Sequence, residues 1–168
     1  MENLSGARRR SCADPGPTTG TLLYQACANN KRPGNLSLRQ FIDEGLYFIR
    51  ALTAHHDIEE SYFFPLLAAK MPEFQSGAGA RREGGGQNRQ AAELLQQHKL
   101  IHAGMDVFED YLRRCRNRET ELELGVLKEK MDTWGDVLWK HLDQEVKTLG
   151  AENMRQYWTL EEMRRLHA

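Results

Sequence analysis

The stretch that decides the fold runs from residue 37 to residue 71: SLRQFIDEGLYFIRALTAHHDIEESYFFPLLAAKM. Ser37 opens it and Gln40 stands three residues on, the pairing of a capping box, in which each side chain bonds the other residue's backbone N–H. Leu38, Phe41, Gly45, Phe48 and Leu52 then recur at steps of three and four, the spacing of one helix face. The stripe continues through His55, Glu59, Tyr62 and Leu66. Pro72 follows Met71 and ends the pattern. Pro65 lies inside it and predicts a kink or an end to the regular helix, because proline has no N–H to donate and its ring meets the carbonyl four residues back. At ~1.5 Å per residue this helix is roughly 50 Å long.

The flanking sequence repeats the theme. Lys31-Arg32-Pro33-Gly34-Asn35 is a break, and before it only a short helix fits, over about 19–29, marked by Leu22, Leu23 and Ala26. After it, 75–88 is rich in glycine and arginine, cannot build a core and predicts a mobile surface loop. No strand precedes Gly84-Gly85-Gly86 and the lysine and hydroxyl of a phosphate loop are missing, so that reading fails. A third helix is predicted over 89–116 with the stripe Ala91, Leu95, His98, His102, Met105 and Leu112. A fourth, over 119–149, carries Leu127, Met131, Trp134, Leu138, His141, Glu145 and Leu149, with Gly150 as its stop. A short C-terminal fifth helix opens after Thr159, where Glu162 completes a second capping box. Long helices with no strand signal predict an all-α bundle spanning 19–168, behind a disordered tail over 1–18.

Composition narrows the function. The chain has 168 residues, enough for one domain with a real core. Its net charge is −1 with no long basic block, so nucleic acid is not an expected partner. No apolar run approaches the length of a membrane span, and the N-terminus lacks the apolar run of a secretory signal. Arg8-Arg9-Arg10 reads as part of a solvated tail. Cys12, Cys27 and Cys115 are scattered and odd in number, which excludes a disulfide framework or a zinc ribbon and fits a reducing, cytoplasmic setting.

What interrupts the apolar stripes is the chemical signal. Residues four apart on a helix differ by about 40° in direction. His55/Glu59, His98/His102 and His141/Glu145 are therefore chelating pairs on the predicted core faces of three helices. Carboxylates and imidazoles gathered in a core are prohibitively costly without a cation or dense hydrogen bonding. Mixed imidazole and carboxylate donors suit iron, with zinc and manganese as competitors. His56 and Glu60 form another four-apart pair about 100° off the stripe, which makes them outer partners of the ligands or alternative ligands. His167, near the C-terminus, reads as solvent-exposed. His-Glu-x-x-His and Gly-x-Ser-x-Gly are absent, so zincin and serine-hydrolase chemistry are not indicated.

His55-His56-Asp57-Ile58-Glu59-Glu60 followed by Phe63-Phe64-Pro65, then His98-Lys99-Leu100-Ile101-His102, then His141-Leu142-Asp143-Gln144-Glu145, resembles the ordered ligand set of the hemerythrin-like, HHE cation-binding family. The resemblance covers about 37–149. It implies an up-down four-helix bundle around two irons joined by an oxo or hydroxo bridge, with His55, Glu59, His98, His102, His141 and Glu145 as ligands. It also implies dioxygen binding, oxygen or iron sensing, or iron handling. The family's first helix supplies a further histidine, whereas no histidine precedes His55 here, and the first helix is short. Unequal iron sites are therefore expected; two equally tight irons would instead imply a substitute donor, with His56, Tyr24 or Cys27 the first candidates. Phe48, Leu52, Met105, Trp134 and Leu138 are expected to line a cavity beside the metal. A di-iron oxidase or peroxidase is the enzymatic alternative, with Tyr62 as proton donor. A metal-poor interaction module is the third reading.

Overall fold

The computed structural model describes residues 19–71, 74 and 87–166. Ser37 caps α2 (Leu38–Ile58): its hydroxyl accepts from the Gln40 N–H, and the Gln40 side-chain carbonyl accepts from the Ser37 N–H. The regular part of that helix ends at Ile58. A π-helical turn, Glu59–Phe63, follows, closed by the Phe64 N–H bonding the Glu59 carbonyl, and leads into α3 (Phe64–Ala68). Pro65 is the local cause. It sits in the first turn of α3, where its missing N–H costs least, and the wider turn before it relieves the clash of its ring with the preceding carbonyls.

α1 (Thr19–Ala28) precedes this long element, with Asn30 at φ 47° in the turn between them. α4 (Gln87–Arg116) and α5 (Leu124–Thr148) follow, joined through Arg118 at φ 64°. α6 (Ala151–Met154) and α7 (Leu160–Leu166) complete the described chain. The capping box predicted for α7 is present, with Glu162 accepting from Thr159 and donating its own N–H to the Thr159 hydroxyl. Gly150 does not end α5 with a left-handed residue. It has φ −62° and ψ 146° and starts α6. No strand occurs among the described residues, and no helix there is long and apolar enough to cross a membrane. The expectations for 1–18, for 75–86 and for His167 lie outside the described residues.

α1 packs on α2 and α5, and α4 packs on the same two, which makes a ring of four. Two glycines set close approaches: a Cβ at Gly45 would lie 2.5 Å from Leu112, and one at Gly104 would lie 2.4 Å from Trp134. The main core holds Phe41, Ile49, Ile101, Phe108, Leu112, Leu127 and Trp134 among others. A smaller apolar cluster, including Phe64, Met71, Phe74, Leu94, Met154 and Trp158, closes the other end. Between the two clusters lies a polar layer.

The buried line of α2 is turned by one residue from the predicted stripe. Phe41, Ile42, Gly45, Leu46, Ile49 and His56 are buried, whereas Leu38 is 47% exposed and Tyr62 54%. Both lines are apolar in this helix. Phe48 and Leu52 lie on a half-buried flank, whereas Ile42, Ile49 and His56, at seven-residue steps as in supercoiled bundles, are all buried. His56, expected off the core face, therefore points inward.

Candidate metal centre

Three helices bring the polar layer together. α2 and the π turn supply His55, His56, Glu59 and Glu60; α4 supplies Gln97, His98 and His102; α5 supplies His141 and Glu145. His56, His98 and His141 are at most 1% exposed, and Glu59 and Glu145 are 5% and 8% exposed. Their donor atoms form two groups, each within a span of 4.8 Å. One is His56, Glu59, His98 and His141; the other is His55, Glu59 and Glu145. Glu59 belongs to both, and it is the first residue of the π turn, a local geometry that often marks functional sites.

The three buried imidazoles share one arrangement. Each is engaged at Nδ1: His56 by His102 Nε2 at 3.3 Å, His98 by Glu60 Oε1 at 2.7 Å, and His141 by Gln97 Oε1 at 3.2 Å. Holding Nδ1 leaves Nε2 as the ligating atom, the usual way that outer partners orient metal-binding histidines. His98 Nε2 and His141 Nε2 face one another at 3.1 Å, and Glu59 Oε2 lies 3.5 Å from the former. His56 Nε2, Glu59 Oε2 and Glu145 Oε1 are buried with no hydrogen-bond partner. Orphaned buried acceptors of this kind are rare because each forfeits its hydration. Cations at the two donor groups would satisfy all of them, so the donor set fits metal ions.

Electrostatics agrees. Burial first, and then the neighbouring imidazoles, push His56 down to about 3 and His141 down to about 4. Both are therefore neutral, ligand-ready rings at pH 7. Burial, together with the ionised Glu59 beside it, pushes Glu145 up to about 8. Burial also disfavours the charge on Glu59, but hydrogen bonds with His55 and Glu145 outweigh it and hold its carboxyl below the usual range. The hydrogen bond to Glu59, 3.0 Å away, raises His55. Without a cation, the two carboxyls thus hold one proton between them.

His98, His141, Glu59 and Glu145 lie where the stripes place them. His55 sits at the rim, half exposed, bonded to Glu59. His102 is half-buried, its ring edge against His56, and is in neither donor group. Glu60 holds His98 from outside. Tyr62 is mostly exposed, with its ring edge on Phe63. Tyr24 and Cys27 are in neither donor group, and burial pushes the Cys27 thiol up to about 11, away from the thiolate. A cavity of about 240 Å³ is lined by Phe48, Leu52, Trp134 and Leu138, as expected, together with Tyr24 and Met131; Met105 packs in the main core instead. Leu52 and Leu138 lie one helical turn from His56 and His141. The sequence reading missed Gln97, which is 4% exposed, and gave Phe64 no role beyond its place in the motif, whereas its ring stacks on His98 with centroids 5.5 Å apart. The line Leu94, Gln97, His98, Ile101, Met105, Phe108, Leu112 held the signal for Gln97, since all of it is buried at steps of three and four except the adjacent pair 97–98.

Comparison with known proteins agrees with this geometry. The family model described as the hemerythrin HHE cation binding domain matches residues 20–152. No curated protein and no solved structure matches the chain.

Proposed function

The chain belongs to the hemerythrin HHE cation-binding family, and from that premise we propose that it holds two iron ions and binds dioxygen, or senses oxygen or redox state, at the less protected one. The observation that carries the two-ion reading is the sharing of Glu59 by two donor groups, since one carboxylate can offer an oxygen to each of two neighbouring cations. The first group is rich in imidazole and wholly buried. The second has a half-exposed His55 and two carboxylates, and so fewer donors and an open side.

Bound iron would supply the electrons for reversible dioxygen chemistry. The chain's own residues do the rest. Gln97, Glu60 and His102 fix the rings at Nδ1. Phe64 and the apolar cluster behind it keep water from His98. Glu59 and Glu145 release their shared proton when a cation takes its place. Nothing about Tyr62 favours the oxidase reading, because it faces solvent on the outside of the π turn.

Titration with ferrous iron in the absence of oxygen is expected to show two phases of different affinity. Admitting and then removing dioxygen should produce a visible absorption that appears and disappears. A single equivalent of iron sinks the two-ion reading. Irreversible oxidation with turnover of peroxide replaces the binding function with an oxidase.

A further inference from the structure

We infer that Gln97 is the positioning residue that determines which nitrogen His141 offers to a cation, an inference that rests on the metal-binding reading above. Gln97 Nε2 lies 2.5 Å from Gln144 Oε1 and 3.4 Å from Glu93 Oε1. Glu93 is paired with the Lys140 ammonium at 2.5 Å. An ionised carboxylate only accepts hydrogen bonds, so the Gln97 atom facing it is the amide NH2. The amide oxygen is therefore the atom turned to His141 Nδ1, 3.2 Å away.

That oxygen also only accepts. His141 Nδ1 must carry the hydrogen, and a neutral imidazole has only one. Nε2 keeps its lone pair, and it is Nε2 that lies 3.1 Å from His98 Nε2 and 3.4 Å from Glu145 Oε1, inside the donor groups. Lys140, Glu93, Gln97 and His141 thus form a directed chain from the surface to a ligand atom. Its two inner members are buried, with Gln97 4% and His141 0% exposed, so water is not at hand to replace the amide. A neutral histidine left to itself in water favours the hydrogen on Nε2, the form that presents an N–H to the cation. Gln97 reverses that preference.

Nitrogen-15 NMR of the histidine rings in the native, cation-free chain tests this, with the His141 signal identified by its loss in His141→Ala. The expected form is Nδ1–H, and an Nε2–H ring in the native chain overturns the inference whether or not any variant folds. In Gln97→Leu the ring should change to Nε2–H. Its cobalt(II) affinity, measured by competition with a chelator, should then fall 10- to 100-fold, the usual cost of losing such an outer partner. Unchanged cobalt affinity, or an unchanged ring form, in a folded Gln97→Leu chain also overturns it. A native chain that takes up no cobalt while its His141 is Nδ1–H overturns the metal reading and leaves the assignment of the ring standing.

Discussion

The same three helices bury opposite chemistry in two neighbouring zones. Between Phe41 and Ile49, Ile101 and Cys115, and Leu127 and Leu138, they enclose aliphatic and aromatic side chains. One to two turns on, at His56 to Glu59, Gln97 to His98, and His141 to Glu145, they enclose imidazoles, carboxylates and an amide. Apolar burial is favourable at ~25 cal/mol per Å² and needs no partner. Buried carboxylates cost free energy unless something replaces their water. The first zone therefore accounts for the fold. The second weakens the fold unless a cation is present, and a zone retained at a cost in stability is where function is to be sought.

The largest expected effect separates the zones by stability. Phe108 is fully buried in the apolar zone, its ring edge toward Trp134. Phe108→Ala should destabilise the chain by about 3–5 kcal/mol in denaturant unfolding. The folded fraction should still bind as many cations as the native chain, as counted by metal analysis. A changed count would mean that the two zones are not independent.

The next effect runs with pH. Glu145 is pushed up to about 8 in the folded chain and is an ordinary carboxyl when unfolded. Between pH 6.5 and 8 the folded state thus holds up to one more proton than the unfolded state, an excess that has dropped to about half by pH 8, and stability falls as pH rises. The slope is at most about 1.4 kcal/mol per pH unit, or about 2 kcal/mol across that window. Glu145→Gln has no such proton, so its cation-free stability should be flatter over the window than that of the native chain. A saturating cation should flatten the native profile as well. Parallel profiles for the two cation-free chains would mean that Glu145 is already ionised.

A smaller effect tests the phase of α2. His56 is buried in a donor group, and His102 touches it from a half-buried position outside. His56→Ala should weaken cobalt(II) binding at least tenfold more than His102→Ala does. The opposite order would return His102 to the ligand set and His56 to its margin.

How much of this was legible in the sequence depends on the element. Ser37/Gln40 and Thr159/Glu162 announce their helix starts because a capping box is local chemistry. The His-x-x-x-Glu and His-x-x-x-His spacings announce a metal site because four residues make one helical turn. The rotation of α2 was not legible. Phe41, Gly45, Phe48 and Leu52 make as good a stripe as Ile42, Leu46, Ile49 and His56; both lines are buried at the start of the helix, and only packing against α1 and α4 leaves Phe48 and Leu52 half-buried while Ile49 and His56 go under. The π turn was half legible: Pro65 predicts a disturbance, but not that the chain absorbs it by widening at Glu59. Gln97 was half legible: its place on the line of Leu94, Ile101 and Met105 puts it on the core face, but only its contact with α5 gives it a role.

The central claim is that Glu59 serves two cations at once. Its most direct test is an oxygen-free ferrous iron titration of Glu59→Ala beside the native chain. Sharing predicts that both binding phases weaken together, since one substitution removes a donor from each group. A variant in which either phase keeps its native affinity would contradict the claim, because that ion would owe nothing to Glu59.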